Sequence, residues 1–129
     1  MPIVTDFTIA ASAKQLVLPD EPDARFFIAF LSSTDPTTLQ SWCPDVRAAL
    51  PHIHAAFSAS NTPDLAIVEV GQRPEWRTPG NFVRVNWNVH NVPTLVRFQR
   101  VGGEIAETGR LVEDEILDKK KLKSLVTEL

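Results

Sequence analysis

Two apolar runs organise the chain, the first continuous and the second broken by one acidic residue. One is Phe26-Phe27-Ile28-Ala29-Phe30-Leu31, led in by Arg25, and the other is Leu65-Ala66-Ile67-Val68-Glu69-Val70. Runs of this length without alternation predict strands buried on both faces. Upstream, Ile3 to Thr8 has the pattern of a short first strand and Ala10 to Leu16 that of a weak helix. Pro19-Asp20-Glu21-Pro22-Asp23 then breaks the chain as a polar turn. Ser32 to Ser41 is polar, contains Pro36 and reads as a loop. At Cys43-Pro44 the periodicity changes. Val46, Leu50, Ile53 and Phe57 recur at three- and four-residue steps, the stripe of an amphipathic helix. Proline suits the first helical position, where its missing N–H costs nothing. Pro51, inside the same helix, is expected to kink it.

A loop holding Pro74, Trp76 and Pro79-Gly80 follows the second run, then a short helix from Phe82 to Val85. Thr94 to Arg100 and Glu104 to Thr108 predict an antiparallel hairpin around Gly102-Gly103. Glu113 to Leu129 predicts a closing helix with Ile116, Leu122, Leu125 and Leu129 as its buried stripe. Its acids (Glu113, Asp114, Glu115) precede its lysines (Lys119, Lys120, Lys121, Lys123), as a helix dipole prefers. The order is β-α-β-α-β-α-β-β-α. Crossover helices imply parallel strands, and the hairpin adds an antiparallel edge. The expected architecture is one α/β domain over residues 1–129, a central mixed sheet flanked by helices on both faces. No repeat, low-complexity stretch or linker divides it.

Composition adds mainly exclusions. A chain of 129 residues that is 43% hydrophobic can bury a real core. A formal net charge of −3 gives no reason to expect nucleic-acid or anionic-membrane partners. No window approaches the roughly 20 apolar residues that span a bilayer. Met1 to Lys14 lacks the basic start and apolar run of a signal peptide. The single cysteine excludes an intrachain disulfide and fits a reducing compartment, so the expected location is cytoplasmic.

Cys43 is the chemical focus. A thiol at a helix N-terminus lies near unpaired backbone N–H groups and the positive dipole end. Both favour thiolate, the nucleophilic form, the dipole by about 0.3–1 kcal/mol. Asp45 supports the helix start but repels a thiolate. A lone cysteine is otherwise a small buried hydrophobe; Trp42 and Pro44-Asp45 around it favour exposure. Val92-Pro93-Thr94 places an X–Pro bond at the entry to a strand, a plausible cis peptide. No metal site is expected, because His52 and His54 lie more than two helical turns from Cys43, roughly 13 Å or further at 1.5 Å per residue. Trp76 and Trp87 are read as packing residues or as contact residues, with neither preferred. Glu69, closing an apolar strand, is a weaker candidate for a buried acid near the thiol. Lys119-Lys120-Lys121 reads as a solvated helix end.

Taken in order, Trp42-Cys43-Pro44-Asp45-Val46, Pro51, Val92-Pro93-Thr94 and Gly103-Glu104 resemble thioredoxin landmarks. The likeness is closer to the small cytosolic thioredoxin-related, thioredoxin domain-containing proteins whose motif is Trp-Cys-Pro-Asp-Cys. Ser41-Trp42-Cys43-Pro44-Asp45 matches that motif after a loop longer than thioredoxin's. Val70-Gly71-Gln72-Arg73-Pro74-Glu75-Trp76 matches a Val-Gly-x-x-Pro-x-Trp segment, and Val92-Pro93-Thr94-Leu95 the cis-proline loop. The resemblance covers almost the whole chain and implies the thioredoxin fold. It departs at one place: the second motif cysteine is replaced by Val46.

The resemblance implies a substrate groove around Cys43 as attacking thiol. Trp42 and Pro93 would flank it, Pro44 would open the helix, and the Val92 backbone would pair with an extended substrate. Asp45 would shape local charge, while Arg73 and Trp76 on the facing loop would help select partners. The expected partners are protein disulfides or glutathionylated proteins, with glutathione as co-substrate and no bound cofactor. The expected function is a monothiol protein that forms mixed disulfides resolved by an external thiol. The alternative is a non-catalytic binding module using the groove beside Pro93. The expected state is a monomer, with a Cys43–Cys43 disulfide dimer as the other option.

Overall fold

In a computed structural model, which describes residues 3–21, 23–59 and 62–127, five strands form one mixed sheet. They are β1 (Ile3–Val4), β2 (Arg25–Leu31), β3 (Asp64–Glu69), β4 (Thr94–Val101) and β5 (Glu104–Val112), in spatial order β1-β3-β2-β4-β5. β1 and β2 each pair parallel with β3, while β4 is antiparallel to both β2 and β5. Four helices accompany the sheet: α1 (Pro44–Phe57), α2 (Arg73–Arg77), α3 (Phe82–Trp87) and α4 (Lys119–Thr127).

Side-chain alternation along β2 shows how the sheet is covered. Phe27 points to one face, where its ring meets Phe57 of α1 at 5.1 Å and 65°. Phe30 points to the other, 6.1 Å from Trp87 of α3. Both phenylalanines are fully buried, so the sheet is covered on both faces. α4 lies on the Phe27 side, where Arg97 of β4, the register partner of Phe27, donates to the Leu125 carbonyl.

Several elements differ from expectation. β1 stops at Val4, and of the expected helix from Ala10 to Leu16 only a 3-10 turn at Ala13–Gln15 forms. In α1, Ala49 joins Val46, Ile53 and Phe57 in the buried stripe while Leu50 packs at its margin, and the helix continues through Pro51. Residues 73–77, expected as loop, form α2. Gln72 caps it, with Pro74 in the first turn and the Glu75 carboxylate accepting the Gln72 N–H at 3.0 Å. α3 runs on to Trp87 and β5 to Val112.

The closing helix is two pieces. Glu113–Leu117 is a 3-10 turn, and α4 begins afresh after Asp118, whose carboxylate accepts the N–H groups of Lys120 and Lys121. Lys119, Lys120 and Lys121 thus occupy the first turn of α4, the reverse of the expected dipole arrangement; the Asp118 cap offsets them. Pro22 of the expected turn and Leu129 of the expected stripe lie outside the described residues.

Gly109 permits the contact that closes this face. A Cβ there would lie 2.5 Å from Leu125 Cδ1 and 3.3 Å from Arg97 Nη2. Gly109→Ala should therefore lower stability by about 1–3 kcal/mol, as overpacking does. Urea denaturation checks this, and an unchanged midpoint would show that α4 can shift freely.

Candidate functional site

Cys43 is the N-cap of α1, with extended backbone at φ −97° and ψ 121° and Pro44 as the first helical residue. Its side chain is partly exposed. The thiol donates to the Val92 carbonyl at 3.9 Å, and the Val92–Pro93 bond is cis. Two distant segments, residues 41–46 and 91–94, thus meet at one sulfur. The second segment is braced from beneath: Thr94, 1% exposed, donates to the Asn91 carbonyl at 2.7 Å, and the Pro93 carbonyl accepts the Glu113 N–H at 2.8 Å. The Val92 carbonyl holds only the thiol, and its N–H makes no hydrogen bond among the described residues.

The buried polar side chains among the described residues are Ser32, Ser33, Ser41 and Thr94, all at this end of the sheet. The Ser32 and Ser41 hydroxyls bond each other, and the Cys43 N–H donates to both, at 3.3 and 3.4 Å. The Ser33 hydroxyl accepts the Gly71 N–H at 2.9 Å. Burying a hydroxyl without a partner costs about 1–3 kcal/mol, so a paired cluster at one place fixes the local backbone. These serines escaped the sequence reading, because a serine in a polar stretch looks the same whether solvated or buried.

Trp42 is held on two sides. Its indole N–H donates to the Gly71 carbonyl at 2.9 Å, and the Arg73 guanidinium lies 4.8 Å from its ring centroid. Gly71 has φ +106°, and a Cβ there would sit 2.8 Å from Glu75 Cβ, so the turn requires glycine. Arg73 also donates to the Trp42 carbonyl at 3.2 Å, which sets it beside the motif. Pro44 and Asp45 are exposed at the start of α1. Arg47, one turn on, donates to the Ser41 carbonyl at 2.6 Å; sequence reasoning missed it because its acceptor is backbone.

One expectation needs correcting, and two open readings are settled. Trp76 does not face a partner: it is 6% exposed, and Arg84 covers its ring at 3.9 Å while donating to its carbonyl. Trp87 is equally buried, its indole donating to the Ala10 carbonyl. Glu69 is not a buried acid; it is exposed at the end of β3 and accepts the Thr34 N–H.

A cavity of about 490 Å³ opens between the loop before the motif and α1. Leu31, Leu39, Val46, Leu50, Arg47 and His54 help to line it, but Cys43 does not, so it is not the thiol's own groove. Val46 itself is fully buried. Among the described residues no group of three His, Cys, Asp or Glu side chains could hold a metal ion, and no helix is long and apolar enough to cross a membrane.

Residues 8–128 match the family described as thioredoxin domain-containing protein 17-like, thioredoxin domain. The chain belongs to this family. A thioredoxin domain-containing protein of Schizosaccharomyces pombe is 41% identical over 100 residues, covering 78% of this chain and 81% of its own. The thioredoxin-like protein Clot of Arabidopsis thaliana is 38% identical over 95 residues, covering 70% of this chain and 71% of its own. Thioredoxin domain-containing protein 17 of Homo sapiens is 26% identical over 110 residues, with 84% of each covered. Among solved structures, thioredoxin of Trichomonas vaginalis superposes with a TM-score of 0.58 at 17% identity, covering 95% of this chain and 93% of that one. That likeness establishes the thioredoxin fold.

Proposed function

We propose that this protein is a monothiol thioredoxin-like protein. Cys43 takes glutathionylated cysteines or protein disulfides into a mixed disulfide, which external glutathione resolves. The observation that carries this reading is a single, partly exposed thiol at the N-cap of α1, set beside the Val92 backbone and followed by the fully buried Val46. The thiol has an edge on which an extended substrate can pair: among the described residues the Val92 N–H has no hydrogen-bond partner, and its carbonyl holds only the sulfhydryl. Trp42, Pro44, Asp45, Arg73 and Pro93 frame that edge. Trp76 contributes by supporting the loop that carries Arg73.

The Cys43 thiolate attacks one sulfur of the substrate disulfide. As the new S–S bond forms, the old one breaks, and the departing sulfur leaves as a thiolate that takes a proton from water. Valine offers no second sulfur, so a glutathione thiolate must attack the mixed disulfide and release Cys43. For a glutathionylated cysteine, one mixed disulfide and one glutathione become one free thiol and one glutathione disulfide. A reducing, glutathione-containing compartment such as the cytoplasm fits this cycle.

Glutathione-coupled reduction of a small mixed disulfide tests the reading, with a Val46→Cys variant run alongside. Turnover by the chain as it stands is the expected result. Turnover only in the Val46→Cys variant would overturn the monothiol cycle.

A further inference from the structure

We propose that Arg47 and Arg73 form a carboxylate clamp that selects the glutathionyl half of a mixed disulfide for attack by Cys43. The proposal rests on the monothiol reading and adds the substrate class and the residues that recognise it. The two guanidinium groups grip successive carbonyls immediately before the nucleophile: Arg47 holds that of Ser41 at 2.6 Å, and Arg73 that of Trp42 at 3.2 Å. Each is therefore held in place by backbone, while both side chains remain exposed. A guanidinium has five N–H donors in a planar fork, so donors remain to meet a carboxylate.

Among the described residues neither group has an acidic partner. The ion pairs among the described residues are Lys14–Glu104, Arg110–Glu107 and Lys121–Glu115. The acids near the loop accept backbone N–H groups instead, Glu69 from Thr34 and Glu75 from Gln72. Two cations outside the ion pairs of the described residues, each fixed on a carbonyl within two residues of Cys43 in a chain with net charge −3, suit an anionic ligand. Asp45, exposed in the first turn of α1 and also outside those ion pairs, adds one negative group.

Arg47, Arg73 and Asp45 are charged side chains on the motif helix and the loop that grips it whose carboxylates or guanidinium groups lie outside those ion pairs, while Glu69 and Glu75 turn to backbone N–H groups. A glutathionyl group carries two carboxylates around a single sulfur, so each guanidinium can meet one of them. Held by its carboxylates, its sulfur is the one Cys43 attacks. The bond formed is Cys43 Sγ to the glutathionyl sulfur, and the bond broken is the one to the protein sulfur. That sulfur leaves as thiolate and is protonated by water. A second glutathione thiolate then attacks the glutathionyl sulfur, releasing glutathione disulfide and the Cys43 thiolate.

Two measurements decide the matter. The first compares the rate at which Cys43 is modified by glutathione disulfide with the rate for the uncharged 2-hydroxyethyl disulfide. Arg47→Gln or Arg73→Gln should lower that ratio about tenfold each, the size of one charge-assisted hydrogen bond. The second needs no reaction and keeps both arginines: a Cys43→Ser chain is titrated with S-methylglutathione and with its dimethyl ester. The acid should bind at least about tenfold more tightly, and less so as salt is raised. Equal binding of acid and ester, or a ratio of rates unmoved by either variant, would overturn the clamp and leave the monothiol cycle standing. If Cys43 reacts with neither disulfide, the monothiol cycle fails, and the titration still decides the clamp.

Discussion

Replacing Cys43 by serine is expected to abolish mixed-disulfide formation and all disulfide reduction, not merely to slow them. The chain has no other sulfhydryl, so no second residue can supply the attacking sulfur. A serine hydroxyl is not ionised near neutral pH and does not attack disulfides. The loss will not come from misfolding. Cys43 makes no side-chain cap bond to α1, whereas serine is among the favoured N-cap residues, so the variant should be as stable or up to about 1 kcal/mol more so. That separation makes the experiment informative about the rival reading. A partner protein that still binds Cys43→Ser with unchanged affinity would favour a binding module beside Pro93. Complete loss of capture favours thiol chemistry.

The largest stability effect should come from the far end of the same helix. α1 is about 21 Å long at 1.5 Å per residue, with Cys43 capping one end and Phe57 anchoring the other. Phe57 is fully buried and meets Phe27 of the central strand edge to face. Phe57→Ala removes a large apolar side chain and leaves a cavity that a close-packed core cannot fill. The expected cost is about 3–5 kcal/mol, a large share of the roughly 5–15 kcal/mol that stabilises a domain. Urea denaturation should show a large drop in midpoint. A loss below about 1 kcal/mol would mean that the Phe27–Phe57 contact does not anchor α1 to the sheet.

How much of this was legible in the sequence depends on what each residue's partner is. β2 and β3 were readable because a strand covered on both faces must be apolar at successive positions, and only burial rewards that pattern. α1 was readable for a similar reason, since its stripe repeats with the helical period. The family motifs placed Cys43, Val92 and Pro93 together before the sheet register did.

The misses share a physical cause. Trp76 looks alike in sequence whether it faces a partner or packs beneath Arg84, because an indole has both an apolar body and a polar handle. The charge order from Glu113 to Lys123 suggested one helix, yet Asp118 divides it by capping the second piece. Arg47 and the Ser32–Ser41 pair act on backbone groups brought near only by folding, and no residue type encodes such a partner.

Intact-mass measurement after exposure to glutathione disulfide, followed by added glutathione, tests the central claim most directly. The account predicts one glutathionyl group per chain, located on Cys43, which glutathione then removes to restore the free thiol. A chain that stays unmodified while unfolded controls react, or an adduct that glutathione cannot remove, would contradict it.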